Sequence, residues 1–258
     1  MCYNIKTIYF NNPLFNEIDA TYIIHLEGNG RYDHIEEQLK TYHPTKIVHI
    51  LFNKGYKKCN KNNIDSPAKD LIDANKYICE HAKRYDTILI LEDDFIFNEM
   101  EKVDIDNIES FIKTNTSYIY KLGCIPFIQI PYNSYTYTGF SAGSHAVIYS
   151  KDIRNTLNKD NMDDWDMNLA KHINYMYYIP LCYQLFPETD NRQSWGKHNI
   201  MWYITGKIFI QLFNLLQLDH QIEPGYSIMY TFSKISPIII TLILIKLYFH
   251  IVYGKNKA

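Results

Sequence analysis

Hydrophobic positions in the first third of the chain alternate between short apolar runs and amphipathic stretches. A short apolar run bounded by turn residues is typical of a strand, and an apolar stripe at every third or fourth position is typical of a helix facing a core. The pattern predicts strands at Ile5–Phe10, Tyr22–Leu26, Lys46–Phe52 and Thr87–Leu91, and helices at Tyr32–Tyr42 and from Asp65 onward. This alternation predicts an α/β fold with a mixed, mainly parallel sheet covered by helices.

Beyond Phe111 the pattern becomes less regular. It predicts further strands at Ser117–Leu122, Ile125–Ile130, Ala146–Tyr149 and Tyr177–Leu185, and a helix at Ser150–Leu157. Small residues dominate the run from Gly139 to His145. Such a run either lets the backbone approach a ligand closely or forms a flexible turn.

The C-terminal part of the chain is far more apolar than the rest. Residues 200–218 predict a helix with one narrow polar stripe, which suits either a helix lying in a membrane interface or a strongly buried helix. Residues 235–253 are apolar over a length that spans a bilayer. We therefore divide the chain into a domain at 1–198 and a membrane-associated region at 199–258.

A C-terminal span predicts that the N-terminal domain faces the cytosol. Lys255 and Lys257 would then lie on the far side, against the usual distribution of basic residues. Two helices dipping into one leaflet would remove that conflict.

Composition and charge exclude several classes of protein. The formal net charge of −2 leaves no basic footprint, so nucleic acid is not an expected partner. The five cysteines form no CxxC pair and no cluster with histidine at zinc spacing, which argues against a disulfide framework and structural zinc. The first ten residues lack the layout of a signal peptide. These features favour a domain in a reducing, cytosolic-type compartment.

Three consecutive carboxylates follow the strand at Thr87–Leu91. Adjacent acids beside a packed core repel one another unless a cation neutralises them. We interpret Glu92, Asp93 and Asp94 as ligands of Mg²⁺ or Mn²⁺ bound with a phosphorylated substrate, because hard oxygen ligands suit these ions. The alternative is an acidic turn in which Asp93 or Asp94 caps a helix.

Three further segments carry candidate chemistry. Asp163, Asp164 and Asp166 surround Trp165, so one of them could act as a general base on a sugar that stacks against the indole ring. The alternative there is a capped helix start with a tryptophan in the core. Farther along, Arg192 could hold diphosphate oxygens and His198 could add a metal ligand, unless this loop is only a linker. Arg31 follows a glycine-containing turn that suits a nucleotide edge.

Several of these segments together resemble glycosyltransferase family 25, the group of the lipooligosaccharide and procollagen galactosyltransferases. The segments that carry the resemblance are Tyr22–Leu26 with Arg31, Asp70-Leu71, Tyr85–Asp94, Ser141–Ser150 and Asp163–Asp166. The resemblance implies a GT-A fold, a nucleotide-sugar donor such as UDP-galactose, and Mn²⁺ or Mg²⁺. It implies that Asp94 holds the metal with Glu92 or Asp93, and that one of the later aspartates is the base of an inverting transfer. The loop Asn53–Cys59 is also similar to sequences of large DNA viruses.

These patterns favour a membrane-attached transferase that moves a hexose from a UDP-sugar to a hydroxyl of a glycan, lipid or protein. A metal-dependent nucleotidyltransferase is the alternative enzyme, because it too places paired acids at strand ends. It should carry a basic, glycine-rich loop after its first strand, for which Gly28–Arg31 is thin. A non-catalytic membrane assembly protein with a degenerate transferase domain is the third hypothesis.

Overall fold

The computed structural model describes residues 1–186 and 200–254. Nine strands and seven helices lie in the described part of the chain, numbered here in chain order. The strands are β1 Tyr3–Tyr9, β2 Ala20–Leu26, β3 Ile47–Asn53, β4 Thr87–Glu92, β5 Phe95–Phe97, β6 Ile119–Pro131, β7 Thr136–Ser150, β8 Asn174–Tyr177 and β9 Cys182–Gln184. The helices are α1 Tyr32–Thr41, α2 Pro67–His81, α3 Lys102–Thr114, α4 Lys151–Lys159, α5 Trp165–Leu169, α6 Ile200–Leu215 and α7 Gly225–Gly254.

Seven strands form one mixed sheet in the order β1-β3-β2-β4-β7-β6-β8. Strands β2, β3, β4, β6 and β8 run in one direction, while β1 and β7 run against them. Strands β5 and β9 pair separately in a two-stranded ribbon. The predicted α/β class with a mixed, mainly parallel sheet and C-terminal apolar helices is confirmed.

Helices cover both faces of the sheet. In β4, Leu89 and Leu91 pack on one face with residues of α1 and α3, and Ile88 and Ile90 pack on the other with residues of α2, α4 and α5. All four side chains are buried. This burial on both faces explains why β4 is a continuous apolar run rather than an alternating one.

Strands β6 and β7 differ from the sequence prediction. The two short strands predicted around Gly123 are one bent strand, whose register shifts on either side of Gly123 instead of ending there. Gly123 is required because a Cβ atom at this position would lie 1.7 Å from the carbonyl oxygen of Cys182. The small-residue run from Gly139 to His145 is part of β7 rather than a loop. Instead of the strand predicted at Tyr177–Leu185, the structure has β8 and β9.

One expectation from the cysteine count is wrong. Cys2 and Cys59 form a disulfide that ties the start of β1 to the loop after β3. Cys79, Cys124 and Cys182 are free and buried. The cysteines therefore do not support a reducing, cytosolic-type compartment for the domain.

The first part of the C-terminal region packs against the N-terminal domain. Phe213 and Leu218 are buried against the C-terminal half of β6. Ile208 and Leu215 on α6, by contrast, are 57% and 79% exposed. The segment 200–218, predicted to be either a membrane-interface helix or a buried helix, thus has one buried side and one exposed apolar side. The first turns of α7 join the same core cluster through Tyr226, which is buried beside Cys124 and Met176.

Helix α7 changes its surroundings at Pro237. Pro237 has no N–H to donate to the carbonyl of Ser233, and the hydroxyl of Ser236 lies 2.9 Å from that oxygen and 2.7 Å from the carbonyl of Phe127. From Ile238 to His250 every residue is exposed, and nearly all are apolar. Gly225–His250 is long and apolar enough to cross a membrane by length and composition.

Candidate functional site

The acidic run lies where the parallel strands β2 and β4 end at the same edge of the sheet. Strand β4 finishes at Glu92, and Asp93 and Asp94 form the turn that leads into β5. The register that aligns Ile24 with Glu92 brings the turn after β2 next to these acids. Strands β3 and β4 lie on opposite sides of β2, so the order of the strands reverses here, and the carboxyl ends of parallel strands at such a point are where α/β sheets place ligand sites.

Asp93 holds the turn between β2 and α1 in place. Its Oδ2 accepts hydrogen bonds from the backbone N–H of Leu26 at 3.0 Å and from the amide of Asn29 at 2.7 Å, and it lies 3.1 Å from Nδ1 of His25. Burial opposes its charge, but His25 and Arg31 hold the pKa of Asp93 below its usual value. Asp93, predicted as both metal ligand and donor-binding residue, is thus occupied by protein partners.

Arg31 bridges two of the acids. Its Nη1 lies 2.9 Å from Oδ1 of Asp93 and 2.8 Å from Oδ2 of Asp94. Its side chain is 30% exposed, against 8% for Asp93 and 16% for Asp94. The guanidinium therefore lies on the outer side of the acids, where it partly neutralises them and meets solvent.

Asp94 is also held by a residue distant in sequence. The carboxamide of Gln184, at the end of β9, donates to Oδ1 and Oδ2 of Asp94 at 3.0 and 2.9 Å. Burial raises the pKa of Asp94 even though Arg31 and Gln184 oppose the rise. Asp94 is the more accessible of the two aspartates and retains capacity for a further cationic partner.

Glu92 is strongly perturbed. The hydroxyl of Ser144 on β7 donates to its Oε1 at 2.8 Å. Burial, followed by the negative charges of Asp94 and Asp166, raises the pKa of Glu92 to about 8. Glu92 is therefore mostly protonated near neutral pH in the absence of a further cation, and a cation placed near it would favour its ionised form.

The three later aspartates separate into different roles. Asp164 caps α5, since its side chain accepts from the backbone N–H of Met167 at 2.9 Å, and Asp163 is exposed. Trp165 is buried against the core with its indole N–H donating to the hydroxyl of Tyr149, so it cannot stack on a sugar. This is the arrangement of the capping alternative. Only Asp166 belongs to the acidic site.

Asp166 adds a third interacting carboxylate. Burial and then the charge of Asp164 raise the pKa of Asp166, against the opposing effects of Lys121, Ser144 and Gly143. Its Oδ1 is buried and has no hydrogen-bond partner. A buried, unpaired carboxylate oxygen is costly, and such atoms are typical of sites that bind or react with something else.

Sequence reasoning missed the partners of these acids. Lys121 lies within β6, is fully buried, and has its pKa lowered by burial. A lysine inside an otherwise apolar predicted strand was a signal that could have been read. Ser144 was seen only as part of a small-residue run, and Gln184 carried no recognisable motif.

The donor set suits a hard divalent cation only in part. Within residues 1–186 and 200–254, no three His, Cys, Asp or Glu side chains are arranged to hold a metal ion. The oxygens of Glu92, Asp94 and Asp166 are nevertheless hard donors, and one of them is buried without a partner. Mg²⁺ and Mn²⁺ sites in transferases often use one or two carboxylates plus substrate phosphates. The residues present fit that kind of incomplete site.

Arg192 and His198, predicted as a diphosphate ligand and a metal ligand, lie at 187–199, outside the described residues. The other predicted site residues fall into two groups. Arg31, Glu92, Asp93, Asp94 and Asp166 come together, whereas Asp163 and Asp164 do not enter the site.

The raised pKa of Glu92 predicts how stability depends on pH. A carboxyl group that titrates near 8 when folded and near 4.5 when unfolded favours the folded state fully below pH 4.5, and this contribution is lost by about pH 8. In metal-free buffer we expect the melting temperature of the wild type to fall between pH 5 and pH 8 by a few degrees more than that of Glu92→Gln, whose side chain cannot ionise. Thermal melts at both pH values test this, with exposed Glu99→Gln as the control. An equal fall in the wild type and in Glu92→Gln would contradict the assignment.

Comparisons with known proteins give only distant likenesses. No family model and no curated protein matches the chain. Among solved structures, the chain is similar to A197 from STIV, with 16% identity, a TM-score of 0.40, and coverage of 66% of this chain and 86% of that one. It is also similar to a glycosyltransferase involved in the glycosylation of the major capsid of PBCV-1, with 14% identity, a TM-score of 0.32, and coverage of 54% and 63%. It is similar as well to apo UDP-glucose pyrophosphorylase, with 8% identity, a TM-score of 0.32, and coverage of 62% of this chain and 72% of that one. Likeness at this level carries no argument about function.

Proposed function

We propose that this protein transfers a hexose from a nucleotide sugar to a hydroxyl group, with Mn²⁺ or Mg²⁺ as cofactor. The observation that carries the proposal is the convergence of Glu92, Asp94 and Asp166 at one edge of the sheet. Arg31 contacts Asp94, and Lys121 acts electrostatically on Asp166. Acids that lie this close together repel one another when they are ionised, and they are accommodated either by protonation or by additional positive charge. A metal ion bound with a diphosphate provides it.

Each side chain has a defined role in this proposal. Asp94 would hold the metal together with Glu92, and the metal would supply charge stabilisation to the departing nucleoside diphosphate. Arg31, which is more exposed than Asp93 and Asp94, would turn from Asp94 to the diphosphate oxygens. Asp93 keeps the β2–α1 turn in place.

Asp166 is the proposed general base. It would take the proton of the acceptor hydroxyl as the acceptor oxygen bonds to the anomeric carbon. The bond between that carbon and the phosphate oxygen breaks, and the nucleoside diphosphate leaves with the electron pair. A carboxylate with a raised pKa and a free oxygen is suited to accept this proton. UDP is the nucleotide suggested by the resemblance of the sequence to family 25.

The membrane is the second proposed partner. The exposed apolar length of α7 beyond Pro237 supports insertion into a bilayer, because thirteen consecutive exposed residues from Ile238 to His250 would otherwise meet water. In this arrangement the N-terminal domain would face the cytosol. The acceptor remains a glycan, lipid or protein hydroxyl.

The test is a survey of donors with the full-length protein in detergent or nanodiscs. UDP- and GDP-sugars would be incubated with Mn²⁺, with Mg²⁺ or with EDTA, and release of the nucleoside diphosphate measured. We expect metal-dependent hydrolysis of one UDP-hexose and none in EDTA. Release of pyrophosphate from a nucleoside triphosphate plus a sugar phosphate would instead identify a nucleotidyltransferase. The absence of any turnover and of any thermal shift with UDP and Mn²⁺ would favour the non-catalytic assembly protein.

A further inference from the structure

The first turn of α7 reaches into the acidic site through a single hydroxyl group. The phenol oxygen of Tyr226 accepts a hydrogen bond from the backbone N–H of Gln184 at 3.1 Å and donates one to the carbonyl oxygen of Gln184 at 3.0 Å. A hydroxyl can donate and accept at once, so one side chain engages both backbone groups of this residue. Tyr226 thereby fixes the backbone of Gln184.

The side chain of the same glutamine holds Asp94. Its carboxamide nitrogen lies within 3.0 Å of both carboxylate oxygens, and Gln184 lies opposite Phe95, the residue after Asp94, in the β5–β9 ribbon. The pairing of β9 with β5 therefore places Gln184 beside the acidic turn, and its side chain binds Asp94. Displacing it would move the carboxamide that orients Asp94.

The contact is well enclosed. Tyr226 is fully buried, its ring lies edge-on to Tyr183 with centroids 5.0 Å apart, and it belongs to the cluster that includes Met229 and Tyr230 of α7. Hydrogen bonds that are buried in this way are costly to break, because the groups left behind have no water to replace the lost partner. The attachment of α7 to the domain and the geometry of Asp94 are thus physically connected.

We infer that Tyr226 is a positioning residue for the acidic site, so that α7 is a working part of that site as well as an apolar helix. Through Gln184 it sets the orientation in which Asp94 presents its oxygens to a cation. This inference relies on the proposed function for its effect on metal affinity. Its structural part, the restraint of Gln184 by Tyr226, holds independently.

The experiment compares Tyr226→Phe with Tyr230→Phe in the full-length protein. Tyr230 lies one turn farther along α7 and is also buried, but its hydroxyl is 3.6 Å from the sulfur of Cys124 and does not touch Gln184. Each variant loses one buried hydroxyl, so a general loss of stability affects both. The first readout is exchange of the Gln184 carboxamide hydrogens with water, followed by NMR of ¹⁵N-glutamine-labelled, metal-free protein.

We expect exchange to become about tenfold faster in Tyr226→Phe and to stay near the wild-type rate in Tyr230→Phe, as for the loss of roughly one hydrogen bond's free energy. The second readout is the Mn²⁺ concentration for half-maximal sugar transfer. This concentration should rise about tenfold in Tyr226→Phe and stay near the wild-type value in Tyr230→Phe, while the KM for the donor at saturating Mn²⁺ is unchanged in both. Gln184→Met, which keeps the backbone contacts of Tyr226 but removes the carboxamide, should reproduce this rise.

Equal exchange rates and equal Mn²⁺ requirements in the two tyrosine variants would overturn the inference. If the wild-type protein turns over no nucleotide sugar, the proposed function fails, and the exchange measurement still decides whether Tyr226 restrains Gln184. The two failures are therefore distinguishable.

Discussion

Asp94→Asn is expected to lower metal-dependent turnover of the donor by about a thousandfold, while the protein still folds. The substitution keeps the size of the side chain and one carbonyl oxygen, but it removes the charge that a divalent cation requires. A metal that stabilises the leaving diphosphate contributes several kcal/mol, and each 1.36 kcal/mol corresponds to about tenfold in rate. Release of nucleoside diphosphate, measured across a Mn²⁺ titration, gives the result directly.

The control for this variant is Asp163→Asn. Asp163 is exposed and lies outside the site, so it should retain wild-type turnover and the same Mn²⁺ requirement. Circular dichroism and melting temperature establish that both variants are folded. Full activity in Asp94→Asn, or in wild type with excess EDTA, would exclude the metal role.

Asp166→Asn is expected to lower sugar transfer by about a hundred- to ten-thousandfold without weakening the binding of UDP with Mn²⁺. Loss of a general base has an effect of this size, and an amide cannot accept the proton. Because burial raises the pKa of Asp166, the rate of the wild-type enzyme should rise with pH through a value above the usual carboxyl range. This rising limb should be absent in the residual activity of the variant.

Asp164→Ser is the matched control for the base. Serine preserves the cap of α5 while removing a neighbouring charge that helps to raise the pKa of Asp166. Turnover should persist, with the rising limb of the pH profile displaced to lower pH. If Asp166→Asn keeps its rate and its pH profile, the base must be sought elsewhere, and residues 187–199 are then the first place to look.

The sequence alone predicted the part of the site that lies in one continuous segment. A run of four aliphatic residues ending in three acids indicates a buried strand whose end carries charge, and β4 with Glu92, Asp93 and Asp94 has that form. The same local information predicted that Arg31 lies at a strand-to-helix turn. Parallel neighbours then bring both segments to one edge of the sheet, as the strand-and-helix alternation implies.

The remaining features depend on contacts between distant segments, which a hydrophobic pattern does not encode. Ser144 meets Glu92 because β7 lies beside β4, and Gln184 meets Asp94 because β9 pairs with β5. The disulfide joins Cys2 to Cys59 across 57 positions without any motif that would reveal it. Trp165 was ambiguous because a tryptophan beside acids is compatible with both a sugar platform and a core position, and only burial distinguishes them.

If α7 enters a membrane as proposed, Pro237 has a consequence for how the protein tolerates bilayers of different thickness. It lies about three helical turns beyond Tyr226, at the point where α7 passes from packed to exposed surroundings. A proline within a helix allows a bend there, and an apolar helix adapts to bilayers of different thickness by changing its tilt. The bend would absorb that change of tilt, so a thicker or thinner bilayer would leave the docked turns, and with them the geometry of Asp94, undisturbed.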